Sequence, residues 1–258
     1  MARLANHRSL PLQADPRISA DYLRKRLKDR GQMAGKREQN REQNRLALIG
    51  AVLDSVAEKG ISETSVSEII QRAGLSRGMI HLHFGGKDNL VHAAAHHSSE
   101  EYYDGLEALL KTAGDSPQER IEMIVRGDLS ERVLNRRNVS IWYAFRGEAR
   151  NRKAIAEYSD TRDGRLRGMI HSAFSRIVRE AGTPDPSGAA RDATHGTLAL
   201  LEGMWTDFLL HPDRFDREEA MRIIFRFLAA MFPAHFALRG ALRPEQGPLS
   251  GPAAVSDT

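Results

Sequence analysis

The apolar residues of this chain recur three and four positions apart from about Arg41 to Phe236, and no stretch between them alternates as a half-buried strand does. That period is satisfied by helices, so the predicted fold class is all-α. Ile49, Val52, Leu53 and Val56 form one helical face that Gly60 is placed to end. A short helix opens at Ser65, a cap with Glu68 reaching back in a capping box, and buries Val66, Ile69 and Ile70 before Gly74. Ser76 caps a third helix through its hydroxyl, and from Lys87 the pattern runs long, to Leu110. Ser116-Pro117-Gln118-Glu119 opens another helix. Further ones fit residues 137–150, 152–181, 189–210 and 217–232, with "GTPDPSG" as a loop and Asp216 as a cap.

Charge and composition narrow the function. The net charge of +4 hides an asymmetry, since residues 1–45 hold 12 Lys/Arg against 5 Asp/Glu. A basic arm leading into a DNA-reading unit supplies phosphate contacts without sequence preference. The absence of cysteine removes disulfides, thiolate metal sites and cysteine nucleophiles. No apolar run reaches membrane-spanning length and no signal peptide opens the chain, so a cytoplasmic protein without a membrane role is expected.

The stretch "AGLSRGMIHLHFGGKDNL", residues 73–90, admits three readings. Gly74-Leu75-Ser76-Arg77-Gly78 fits the G-x-S-x-G pattern of a hydrolase, but a nucleophile elbow needs a strand before its serine and here a capped helix precedes it. His81, His83, His92, His96 and His97 are five of the chain's ten histidines. Of these, His92 and His96 share a helix face, and two ligands fall short of the three a zinc centre needs. Neither catalysis nor a bound metal or cofactor is therefore expected. Short helix, glycine-containing turn and second short helix remain, which is helix-turn-helix geometry.

At this point a resemblance becomes specific. "TSVSEIIQRAGLSRGMIHLHFGGKDNLVHAA" resembles the DNA-binding domain of TetR-family transcriptional repressors, through Ser65, Ala73-Gly74-Leu75-Ser76, His83-Phe84 and Lys87, over about residues 41–95. The resemblance implies a homodimer on a palindromic double-stranded operator, released by a small-molecule effector. An activator of the same family is the alternative. Ser65, Ser76, His83 and Lys87 are assigned mainly to phosphates, with a packing role as the alternative for His83, and Arg77 and His81 to base edges. Phe84 is assigned to the core. Many members carry tyrosine where this chain has His81, which puts the sequence that is read in doubt.

The second half resembles the BetI branch, whose members control choline uptake and oxidation, through "SIWYAF" (140–145) and "LLEGMWTDF" (200–208). Trp142, Tyr143, Phe145, Trp205 and Phe208 are candidate walls for a choline-like cation, with core packing as the alternative for Trp142 and Phe145 and with Glu148 or Glu202 as counter-charge. Arg146 points instead to an anionic effector. The expected organisation is a disordered basic arm (1–35), a DNA-binding domain (36–90), a helical sensor and dimerisation domain (91–239) and a disordered tail (240–258). Pairing is expected through the apolar faces around Leu198 to Phe208 and Ile224 to Phe232.

Overall fold

The structure, a computed structural model, describes residues 20–148 and 153–236, with side chains from Gly35 to Glu148 and from Gly164 to Phe236. The described residues form nine α-helices: α1 (Ala20–Lys59), α2 (Val66–Ala73), α3 (Arg77–Phe84), α4 (Lys87–Leu110), α5 (Pro117–Asp128), α6 (Arg136–Glu148), α7 (Lys153–Glu180), α8 (Pro186–Leu210) and α9 (Arg217–Met231). The expected tail, 240–258, lies outside the described residues, as do residues 1–19 of the arm.

The arm is corrected over the rest of its length. Residues 20–35 belong to α1, which starts some twenty residues before the apolar period does. Leu, Lys, Arg, Gln and Ala dominate that segment, and such residues extend a helix readily once its packed half has nucleated it. The packed half carries Leu48, Ile49, Val52, Leu53 and Val56, all buried, and ends at Gly60 with φ +80°.

Two cores are built on these helices. The first joins α1, α2, α3 and the start of α4 around Ile69, Ile80, Leu90 and Val91, and takes Ile141 and Phe145 from α6. Inside it, the buried Ser55 hydroxyl donates to Thr64 Oγ1, which donates to the Gly60 carbonyl, so both are satisfied. The second core gathers α4 to α9 around Ile121, Trp142, Phe174, Leu201, Trp205 and Leu228. Each fully buried residue of this kind contributes about 1.5–3 kcal/mol of transfer free energy. Consequently α6 is shared, with Val139 and Trp142 in one core and Ile141 and Phe145 in the other.

The expected pairing faces are also corrected. Leu201, Trp205, Phe208, Ile224, Leu228 and Phe232 are buried inside one chain, because α7 lies across the face that α8 presents. The outward strip of α8 and α9 is a different one, with Ala199, Gly203, Ile223 and Ala230 exposed and Leu200, Met204 and Phe227 half-buried.

Candidate DNA interface and ligand cavity

The turn between α2 and α3 is fixed by its ends. Ser65 caps α2, its Oγ accepting from Glu68 N at 3.2 Å, and Gly74 closes it at φ +65°, with Leu75 N donating to the Ile70 carbonyl. Glu68 does not complete the expected capping box. Its carboxylate meets Lys59 Nζ at 3.0 Å and Arg72 Nη2 at 2.8 Å, because two cations offer it more than one amide does. Ser76 occupies the N-cap of α3 but makes no side-chain capping bond, contrary to expectation. Its carbonyl accepts from Met79 N, while the hydroxyl stays on the exposed side.

Along α3 the period sorts the side chains. Ile80 is 2% exposed and anchors the helix, whereas Arg77, Gly78, His81 and Leu82 face outward. The His81 ring lies 3.3 Å from the Gly85 carbonyl through Nδ1. A carbonyl only accepts, so Nδ1 donates, and in the neutral ring Nε2 is left as an acceptor. His83 falls on the packing side of its two expected roles, since it is half-buried beside Phe84 and its Nε2 is buried without a hydrogen-bond partner. That nitrogen points into the protein, because a residue six positions after Arg77 falls toward the packed side. Leu82 is 67% exposed, and nothing in the sequence singles it out. An apolar residue between two histidines carries no motif, and only its register on α3 marks it.

Charge is distributed unevenly. Arg72 is gripped by Glu58, at 2.9 Å from Nη1, and by Glu68, which raises its pKa and lowers that of Glu58, while Lys59 and then Arg72 lower that of Glu68. Lys59 and Arg72 are thereby neutralised on α1 and α2, while Arg77 forms no ion pair among the described residues. Lys87 begins α4 behind Gly86, which offers that helix no side-chain cap. Arg37, Arg41 and Arg45 repeat every four residues along α1, and the Arg45 guanidinium lies 5.9 Å from the Phe84 ring.

A cavity of about 620 Å³ opens between α4, α5 and α6, with Trp142 and Trp205 in its wall. A smaller one, about 270 Å³, shares Asp128, Trp142 and Trp205 with it. Asp128 is buried and accepts from Tyr102 Oη at 2.8 Å and from Trp205 Nε1 at 2.7 Å. The two indoles meet edge to face, 6.5 Å between centroids.

Of the expected ligand residues, Trp142 and Trp205 line both cavities and Glu202 the smaller one. Glu202 accepts from Tyr143 Oη at 3.0 Å and pairs with Arg146 at 3.4 Å; burial, with Glu202 nearby, raises the Tyr143 pKa. Tyr143, Phe145 and Glu148 line neither cavity, and Phe145 belongs to the core around α1. Asp128 is not among the expected ligand residues, although it continues the inward row of Ile121, Ile124 and Val125. Among the described residues no cluster of three metal-ligating side chains occurs, and no helix is long and apolar enough to cross a membrane.

Residues 48–94 match the family model described as bacterial regulatory proteins, tetR family, and residues 117–233 match that of the BetI-type transcriptional repressor C-terminal domain. The HTH-type transcriptional regulator BetI of Stenotrophomonas maltophilia is 27% identical over 181 residues, 70% of this chain and 89% of its own. Its counterpart in Burkholderia thailandensis is 26% identical over 71% of this chain and 90% of its own. Among solved structures, a transcriptional regulator from Pseudomonas aeruginosa PAO1 superposes with a TM-score of 0.67 at 26% identity, over 76% of this chain and 93% of the other. A regulator from Saccharomonospora viridis, solved in complex with choline, shares the fold at a TM-score of 0.62 and 20% identity, over 71% and 94%. With a capped helix-turn-helix on one core and an aromatic-walled cavity on the other, the chain belongs to the TetR family of DNA-binding transcription regulators and carries a BetI-type C-terminal domain.

Proposed function

We propose that this regulator is a repressor rather than an enzyme, binds a palindromic operator as a homodimer in the cytoplasm, and releases it when a small effector enters the α4–α5–α6 cavity. The observation that carries the reading is the outward row of Ser76, Arg77, His81 and Leu82 on a helix anchored by Ile80. Arg77 offers two donors to guanine, His81 an acceptor to an exocyclic amine, and Leu82 an apolar contact to a thymine methyl. Ser65, Ser76 and Lys87 hold phosphates, the last with the uncapped amides at the start of α4. The arginine stripe of α1, Arg37, Arg41 and Arg45, adds phosphate contacts.

One helix-turn-helix covers too little DNA for tight specific binding, hence the dimer. Its surface is the outward strip of α8 and α9, where exposed Ala199 and Gly203 let helices approach closely. A choline-like cation against Trp142 and Trp205 is the effector supported by the aromatic walls, and by the choline in the Saccharomonospora viridis relative of this fold. Release follows from a shift between two states of differing head spacing. Helix α6 transmits it, since Trp142 lines the cavity while Ile141 and Phe145 sit in the reading head's core.

The test is DNase I protection of the DNA upstream of its own and neighbouring genes, with and without choline or betaine aldehyde. A two-fold footprint that either compound removes is expected. Protection no stronger than on competitor DNA ends the operator reading, and a footprint indifferent to both compounds ends the effector reading. Transcript levels in a deletion strain separate repressor, where they rise, from activator, where they fall.

A further inference from the structure

We infer that the effector also carries an anionic group, held at the cavity mouth by Arg132 and Arg137, and that this group takes Arg137 away from Asp54 of α1. The inference rests on the cationic effector proposed above and makes that effector a zwitterion, a quaternary ammonium bearing a carboxylate or a phosphate. The charged side chains lining the cavity are Glu101 and Asp128 against Arg126, Arg132 and Arg137, so the basic groups outnumber the acidic ones. They are also sorted by depth. Asp128 is buried against the indoles, whereas the three arginines are exposed and outnumber the one exposed acid, Glu101.

The arginines stand on a fixed base. Asn138 Nδ2 donates to the Arg132 and Val133 carbonyls at 3.1 and 3.0 Å, and Asn135 Nδ2 to the Glu131 and Arg132 carbonyls. These bonds tie the turn from α5 to the start of α6. The Arg132 guanidinium lies over Gly105 of α4, where a Cβ would sit 3.3 Å from Nη2, so the missing side chain makes its room. Arg126 is engaged elsewhere, 5.1 Å from the Phe225 ring centroid.

Arg137 is the joint. Its Nε and Nη2 both meet one oxygen of Asp54, at 2.9 and 2.8 Å, and the same side chain lines the cavity. This pair crosses from the sensor to the reading head. A carboxylate or phosphate presents fork geometry to the guanidinium and competes with the aspartate for it. Trp142 follows Arg137 by five residues on α6, about 7.5 Å along the axis and about 140° around it, and both line the cavity, so a zwitterion with its ammonium on the indole meets the arginine once that side chain turns inward.

Operator release, read by fluorescence anisotropy, and thermal shift are measured with choline, glycine betaine and phosphocholine, which share one trimethylammonium head. At least one zwitterion is expected to act at a concentration about tenfold or more below choline, as a charge-assisted fork implies. In R132Q/R137Q that advantage disappears. In D54N, which frees Arg137 without altering the cavity wall, operator affinity falls without ligand and the favoured zwitterion binds more tightly. Choline acting as well as both zwitterions, or an advantage that survives R132Q/R137Q, overturns the inference and leaves the cationic reading standing. Inactivity of all three compounds overturns both.

Discussion

Trp205 on α8 donates its indole N–H to the buried carboxylate of Asp128 on α5, at 2.7 Å, and so fastens the wall shared by two cavities. A buried carboxylate stripped of a donor keeps its desolvation cost, and a smaller ring leaves a gap beside it. Trp205→Phe is therefore expected to cost about 2–4 kcal/mol of stability, from the unmet acceptor and the lost volume together. Urea denaturation of W205F, of D128L and of the double variant measures it. The double variant should lose less than the sum of the singles, and strict additivity would refute the coupling.

Arg77 and Leu82 are exposed on α3 with little to lose in the fold. Arg77→Ala should weaken the best operator by about 1–3 kcal/mol and relax the preference at one base pair. Leu82→Ala should change preference at a thymine with thermal stability within about 0.5 kcal/mol of the parent. Binding to a library of operator variants checks both. A loss spread evenly over all sequences would move Arg77 to the phosphates.

Periodicity and caps made much of this architecture legible, because the caps at Ser65, Ser116 and Asp216 are local chemistry and the apolar faces have one period. What could not be read is what depends on a partner far along the chain. Glu68 satisfies a capping pattern until Lys59 and Arg72 compete for it, and Phe145 looks like a cavity wall until α1 packs against α6. The same holds for Asp54 and Arg137. Two surface charges 83 residues apart carry no pattern at all.

The exposed network of Lys59, Glu58, Glu68 and Arg72 should give stability an acid-side slope. Arg72, by hydrogen bonding, holds Glu58 below its ordinary value near 4.5, and Lys59 does most of the same for Glu68. A carboxylate lowered in the folded state stabilises above its unfolded pKa, and loses that contribution as pH falls through the lower folded value. Denaturation midpoints should therefore drop between about pH 5 and pH 3, and drop less in Arg72→Ala. Parallel curves for the two proteins would mean that solvent screens the pairs completely.

The two glycines of Gly74-Leu75-Ser76-Arg77-Gly78 should respond oppositely to a methyl group. Gly74 has φ +65°, and nothing lies within 4 Å of where its Cβ would stand, so the conformation alone opposes a side chain, and Gly74→Ala should cost about 1–2 kcal/mol. Gly78 lies inside α3 with an ordinary helical backbone, and its nearest neighbour to a Cβ is Ser76 Oγ at 3.9 Å. Gly78→Ala should raise stability by up to about 1 kcal/mol, the helix-propensity difference. It also places a methyl on the face that carries Arg77 and His81, so operator affinity should fall while the melting temperature rises. Thermal melts and anisotropy on the same preparations separate the two effects. Equal destabilisation by both substitutions would mean that the second glycine, too, is held in a backbone geometry closed to other residues.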